Sequence, residues 1–203
     1  AFADAGCEVV IVHAEATRHL HLLLQDMREA GVRAGVALNP ATPLEVVRDA
    51  IDLVDHLLVM TVDPGRGGQK FIASMLPKVH AARELIEGAG LRIDLEVDGG
   101  VSARTAPQVA QAGANLLVAG SAVNRPAAVR RGAVEEIRQE GRRGLRRREK
   151  LIHDAGGAPG QATGGGGLGR GKKLFNGGQG RGAHEGWEGA WMPRRGSAEG
   201  DFY

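Results

Sequence analysis

Hydrophobic and polar positions along the chain follow two alternating rhythms. Short aliphatic runs over Cys7–His13, Arg33–Leu38, His56–Val62, Ile93–Val97 and Asn115–Ala119 are apolar on both faces, the pattern of strands covered from both sides. Between and after them, helical spacing of apolar residues runs over Arg18–Ala30, Pro43–Leu53, Ala73–Glu87, Ala103–Ala112 and Pro126–Glu140. An Ala-Gly junction closes a helix before four of the strands, at Gly6, Gly31, Gly90 and Gly113, which makes an internal repeat of architecture. Strands alternating with helices of roughly 10 to 15 residues predict a parallel sheet built of right-handed βαβ units. Thr42-Pro43-Leu44-Glu45 reads as a capping box opening the second helix, and Ser102 as the cap of the fourth.

Composition divides the 203 residues into two unlike parts. After Gly141 lie 12 of the 26 Lys and Arg, 6 of the 24 Asp and Glu, and 18 of the 32 glycines, so the first part carries a net charge of −4 and the tail +6. The tail cannot bury enough apolar surface to offset its ordering entropy and is read as disordered. The predicted division is therefore 1–141 folded and 142–203 a Gly/Arg-rich basic tail. The tail holds Trp187, Trp191 and Tyr203, leaving the first part only Phe2 and Phe71 as aromatics. Arginine and glycine with interspersed aromatics admit RNA binding; the expectation adopted is a solvated extension with no nucleic-acid partner. A single Cys7 excludes an intramolecular disulfide and fits the cytoplasm. No apolar run approaches the roughly 18 residues that span a bilayer, so no membrane partner is expected. Because the chain opens at Ala1 without a Met, the lack of a targeting segment excludes little.

Parallel α/β folds bind ligands at the carboxyl ends of their strands. There the sequence places His13-Ala14-Glu15, Asn39-Pro40, Pro64-Gly65-Arg66-Gly67-Gly68, Asp98-Gly99-Gly100 and Gly120-Ser121. The third of these reads equally as a tight strand-to-helix turn and as an anion cradle. Gly99-Gly100 and Gly120-Ser121 each precede a helix, where backbone N–H groups hold phosphate. Taken alone, Asp98 reads as a turn or capping aspartate, Met60 as core, and His56 and His80 as surface residues.

Five motifs change that reading: VHAEA at 12–16, AGVALNPATP at 34–43, VMTVDPGRGGQKF at 59–71, EVDGG at 96–100 and VAGSAV at 118–123. In this order and spacing they resemble the ribulose-phosphate 3-epimerase family over about Ala1–Glu140. The resemblance implies an α/β fold of (β/α)8 TIM-barrel type, N-terminally truncated to about five βα units, the family's fourth to eighth strands, ahead of the disordered tail. It implies an isomerase of carbohydrate metabolism and the pentose phosphate pathway. The reaction would interconvert ribulose 5-phosphate and xylulose 5-phosphate by two-base proton transfer at C3. Alternatives are a hexulose 6-phosphate 3-epimerase and a non-catalytic phosphate- or RNA-binding protein.

By the same resemblance, Asp98 is an acid/base aspartate and a metal ligand, and Met60 packs near the reacting carbons. Gly65, Arg66, Gly67, Gly68, Gly99, Gly100, Gly120 and Ser121 contact the sugar phosphate. One divalent metal ion per subunit and a homo-oligomer of the full-length protein are implied as well. The family's second aspartate and its two metal histidines belong to strands this chain lacks, and His13, His19 and His21 are not expected to replace them. Arg66 stands where the family has an aromatic or other apolar residue, and either reaches the phosphate or points to solvent. For the chain as it stands the expectation is negligible epimerase activity, no tightly held metal, and exposed sheet edges that favour association.

Overall fold

A computed structural model of the chain describes residues 2–124 and 126–155. Its elements are β1 (Val9–His13), α1 (Leu20–Glu29), β2 (Arg33–Leu38), α2 (Glu45–Arg48), β3 (His56–Met60), α3 (Leu76–Gly88), β4 (Asp94–Asp98), α4 (Ala106–Ala112), β5 (Leu116–Val118) and α5 (Ala127–Asp154). Single 3-10 turns lie at Ala14–Ala16, Ile51–Leu53 and Ala73–Met75. The strands pair in parallel and in sequence order, so β1 and β5 are the sheet's edges. These are five βα units of the (β/α) barrel type.

The Ala-Gly repeat has one physical form. Gly6, Gly31, Gly90 and Gly113 all sit at positive φ, between 67° and 119°. Each donates its N–H three residues back, and the next residue donates five residues back, as in Cys7 to Phe2, Val32 to Met27, Leu91 to Ile86 and Ala114 to Val109. This pairing satisfies carbonyls that the end of a helix leaves open and turns the chain toward the next strand.

One sheet face is aliphatic: Val36, Leu38, Leu57, Val59, Leu95 and Val97 are all fully buried. They face α1 and α3, where Leu24, Met27, Val79, Ala82 and Ile86 are buried, and Val109 of α4 is buried too. Among the described residues the buried core holds no Phe, Trp or Tyr, since Phe2 is 70% exposed and Phe71 is half-buried. Strand period and register assign the opposite, inner face to Ile11 and His13, Gly35 and Ala37, His56, Leu58 and Met60, Asp94, Glu96 and Asp98, and Leu116 and Val118. On the edge strands Ile11 and Val118 are each 37% exposed.

Three sequence expectations are corrected. The capping box does not form: α2 is one turn long and lacks a side-chain cap, because the Thr42 hydroxyl donates to Glu15 instead. Ser102 does not cap α4, which starts at Ala106. There Thr105 Oγ1 accepts the Ser102 N–H at 2.9 Å and donates to the Gly100 carbonyl at 3.0 Å. Finally, α5 continues through Gly141, the expected boundary, to Asp154. Gly141 and Gly144 are buried, and a Cβ on Gly144 would lie 2.2 Å from the Pro107 carbonyl oxygen. Glycine here permits close packing of α5 on α4 and does not end the helix. Arg148 then reaches Glu87 of α3 at 2.8 Å, so part of the basic run is docked. The remainder of the expected tail, including Trp187, Trp191 and Tyr203, lies outside the described residues. No helix among the described residues is long and apolar enough to cross a membrane.

Candidate functional site

Strand β4 carries three acids on the inner face, each in a different environment. Asp94, at its start, accepts hydrogen bonds from Arg33 at 2.8 Å and from the Asn115 amide at 3.0 Å. Burial alone would raise its pKa, but these donors outweigh burial and hold the carboxyl below its usual range. Glu96, in the middle, is hydrogen-bonded to His56 Nε2. His56 is therefore not the surface residue expected from sequence. The two-residue period of β3 turns it inward, and Glu96 satisfies the buried imidazole there.

Asp98 ends the strand beside Met60 and Val118 in register. Burial pushes its carboxyl above the ordinary aspartate value and the neighbouring Glu96 charge adds to this, while the Gly99 N–H pulls the other way. The backbone around it is tied to β3. Thr61, fully buried, donates its N–H to the Asp98 carbonyl at 2.8 Å and its hydroxyl to the Gly99 carbonyl at 2.6 Å.

Gly99 and Gly100 follow at φ 122° and 64°. A Cβ on Gly99 would lie 2.6 Å from Val62, and one on Gly100 would lie 2.6 Å from the Phe71 nitrogen. The β4–α4 turn and the chain after the glycine-rich loop therefore touch backbone to backbone. Beside that contact lies a cleft of about 660 Å³, lined in part by Gln69, Lys70, Gly100, Arg104, Thr105 and Ser121.

The expected phosphate residues thus separate into two groups. Gly100 and Ser121 share the cleft, with Gly99 and Gly120 adjacent in sequence. Gly65, Arg66, Gly67 and Gly68 stand exposed farther out in the β3–α3 loop and do not line it. That loop is braced by Gln69, whose amide donates to the carbonyls of Asp63 and Arg66. Lys70 and Arg104 were not singled out from sequence, although each stands within four residues of a motif glycine.

A second unpredicted arrangement fixes the end of β2. Glu15 accepts the Asn39 N–H at 3.0 Å and the Thr42 hydroxyl. Lys78 Nζ donates to the carbonyls of Asn39, Pro40 and Thr42 at 3.1, 2.7 and 2.7 Å. Burial lowers the lysine's pKa, partly offset by Glu15. Burial would raise the Glu15 carboxyl, but hydrogen bonds from Thr42 and Asn39 outweigh it and lower the value.

The metal implied by the resemblance needs several ligands around Asp98. Among the described residues no group of three or more His, Cys, Asp or Glu could hold a metal ion. His13 approaches Glu15 at 3.4 Å, while His19 and His21 join no such group. Glu96 is already engaged by His56. The residues present do not fit a metal site.

Comparison with known proteins agrees with the motifs. Residues 1–124 match the model of the "Ribulose-phosphate 3 epimerase family". Ribulose-phosphate 3-epimerase of Bacillus subtilis (strain 168) is 52% identical over 139 residues, covering 68% of this chain and 64% of that protein. The Synechocystis enzyme of the same name is 47% identical, over 60% of this chain and 54% of its own length. Ribulose-5-phosphate-3-epimerase, chloroplastic, of Arabidopsis thaliana is 46% identical, over 60% and 44%. A solved 3-hexulose-6-phosphate synthase from Salmonella typhimurium aligns with a TM-score of 0.49 at 25% identity, over 71% of this chain and 64% of that one. The chain spans about half the length of the curated relatives it matches. With the family model covering well over half of its residues, the chain belongs to the ribulose-phosphate 3 epimerase family.

Proposed function

We propose that the protein to which this chain belongs is a ribulose-phosphate 3-epimerase, with Asp98 as one of its two acid/base groups. The observation that carries this reading is the placement of Asp98. Within a chain of this family, an inward carboxylate with a raised pKa ends a parallel strand two residues before Gly100, which lines a cleft with Ser121.

Inverting a carbon next to a carbonyl takes a base on one face of the sugar and an acid on the other, working through an ene-diolate. A carboxyl with a raised pKa keeps its proton nearer neutral pH and so can return it to carbon as well as take it away. Thr61 and the Gly99 turn fix the backbone that carries the carboxyl, and Met60 gives the reacting carbons an apolar wall that keeps water away. Gly99, Gly100, Gly120 and Ser121 would hold the phosphate by backbone N–H groups and a hydroxyl, with Gly65, Arg66, Gly67 and Gly68 closing over it. The second base has no candidate in this reading, so this chain alone supplies one face of the reaction.

A coupled assay for xylulose 5-phosphate tests the reading. The 203-residue chain should turn over ribulose 5-phosphate negligibly, whereas a chimera joined to the upstream residues of the Bacillus subtilis relative should be active. Faster turnover of a hexulose 6-phosphate by that chimera would replace the pentulose substrate with the larger sugar. An inactive chimera that is folded would refute the epimerase reading. A homo-oligomer, the cytoplasmic setting and a non-binding basic tail remain parts of this proposal. Sedimentation of the active chimera tests the first.

A further inference from the structure

We infer that Lys70 and Arg104 supply the formal positive charge that holds the phosphate end of the substrate. The inference rests on the phosphate reading above and adds side chains to a site otherwise made of backbone N–H groups and one hydroxyl. A phosphate monoester carries close to two negative charges at neutral pH. Backbone dipoles and a serine hydroxyl offer only partial charges against it.

Both cations line the cleft together with Gly100 and Ser121, and no Asp or Glu is among the lining residues. They approach from different segments, Lys70 from the chain after β3 and Arg104 from the turn before α4. The contact between Gly100 and Phe71, where a Cβ would come within 2.6 Å of the Phe71 nitrogen, holds those two segments together. Neither side chain forms a hydrogen bond or ion pair among the described residues, and both are exposed. Three other cations of the same unit are already engaged, Arg33 by Asp94, Arg148 by Glu87, and Lys78 by three carbonyls. Arg66, the cation singled out from sequence, is exposed but does not line the cleft.

The test is titration of the 203-residue chain with inorganic phosphate, followed by calorimetry or phosphorus NMR. Lys70→Gln, Arg104→Gln, their double variant and Arg104→Lys are compared with Ser121→Ala and with Arg147→Gln, an exposed cation on α5. Each neutral single variant should weaken phosphate binding about tenfold, the low end for a hydrogen bond to a charged group because both side chains are exposed. The double variant should also lose most of the salt dependence. Arg104→Lys should keep most of the affinity, Arg147→Gln all of it, and circular dichroism should show every variant folded. Binding by the double variant within twofold of the parent, while Ser121→Ala binds more weakly, would overturn the inference and leave the phosphate reading standing. Equal weakening by Arg147→Gln would overturn it as nonspecific charge. No phosphate binding by the parent chain at low salt would remove both.

Discussion

The two ends of β4 carry the same side chain on the same face in opposite electrostatic settings. Asp94, at the amino end, is held by Arg33 and Asn115 and titrates below the ordinary range. Asp98, at the carboxyl end, is desolvated beside Glu96 and titrates above it. Around Asp94 the network continues: Asn115 Oδ1 accepts from the Leu95 N–H at 2.7 Å and from Arg83 at 2.9 Å. After Asp98 come Gly99 and Gly100 at positive φ, and Gly100 lines a cleft with two cations, Lys70 and Arg104, that have no side-chain partner among the described residues. A carboxylate with its partners in place stabilises the fold, whereas one left largely unpaired raises the energy of the folded state and stays free for chemistry.

Removing the unpaired carboxylate gives the sharpest test of that contrast. In the active chimera Asp98→Asn should cost about 10²- to 10⁴-fold in turnover, the usual contribution of a positioned acid/base group. Its melting temperature at neutral pH should stay level or rise, since a carboxyl with a raised pKa destabilises its own ionised state when folded. A fall in melting temperature matching the loss of turnover would make Asp98 structural.

Next in size is Gly100→Ala. At φ 64°, with the Phe71 backbone 2.6 Å from the new Cβ, the segment after the glycine-rich loop must move. Conformational strain and overpacking together should cost about 3 kcal/mol in a denaturant titration. Gly65→Ala at φ 105° has nothing within 4 Å of its Cβ and should cost only the strain, about 1 kcal/mol. Equal effects would mean that the Gly100 contact does not shape the site.

The architecture was legible in the sequence because it is written in local signals. The four Ala-Gly junctions announce helix ends, and runs apolar on both faces announce buried parallel strands. The motifs that carry Gly100 and Ser121 likewise come together, at one cleft. What escaped was long-range. The partner of His56 lies 40 residues on, and Lys78 reaches carbonyls about as far back, so no pattern in a local window could announce either contact. The continuation of α5 was missed for a different reason: Gly141 and Gly144 look like breakers in sequence but are buried within the helix, and Gly144 packs against Pro107 of α4.

At the amino end of β4, Asn115→Ala should cost about 2 to 3 kcal/mol, because it strips one donor from Asp94 and leaves the Leu95 N–H and part of Arg83 unmatched. Phosphate affinity should not change. A variant as stable as the parent would show that this end is not the structural one.

The smallest effect is the pH dependence that Asp94 confers. Its carboxyl titrates lower in the folded chain than in the unfolded one, so below about pH 4 the unfolded chain binds the extra proton. The stability it contributes is therefore complete above that pH and drains away as pH falls through the depressed folded value. The side chain is 36% exposed, and screening there limits the contribution to about 1 kcal/mol. Asp94→Asn should lie below the parent in unfolding free energy at pH 7, with the gap closing toward pH 3. Asp98→Asn should show no such deficit at pH 7, and the raised pKa of Asp98 gives its gap the opposite sign. Parallel curves for the two variants would mean that the ends of β4 do not differ as their partners imply.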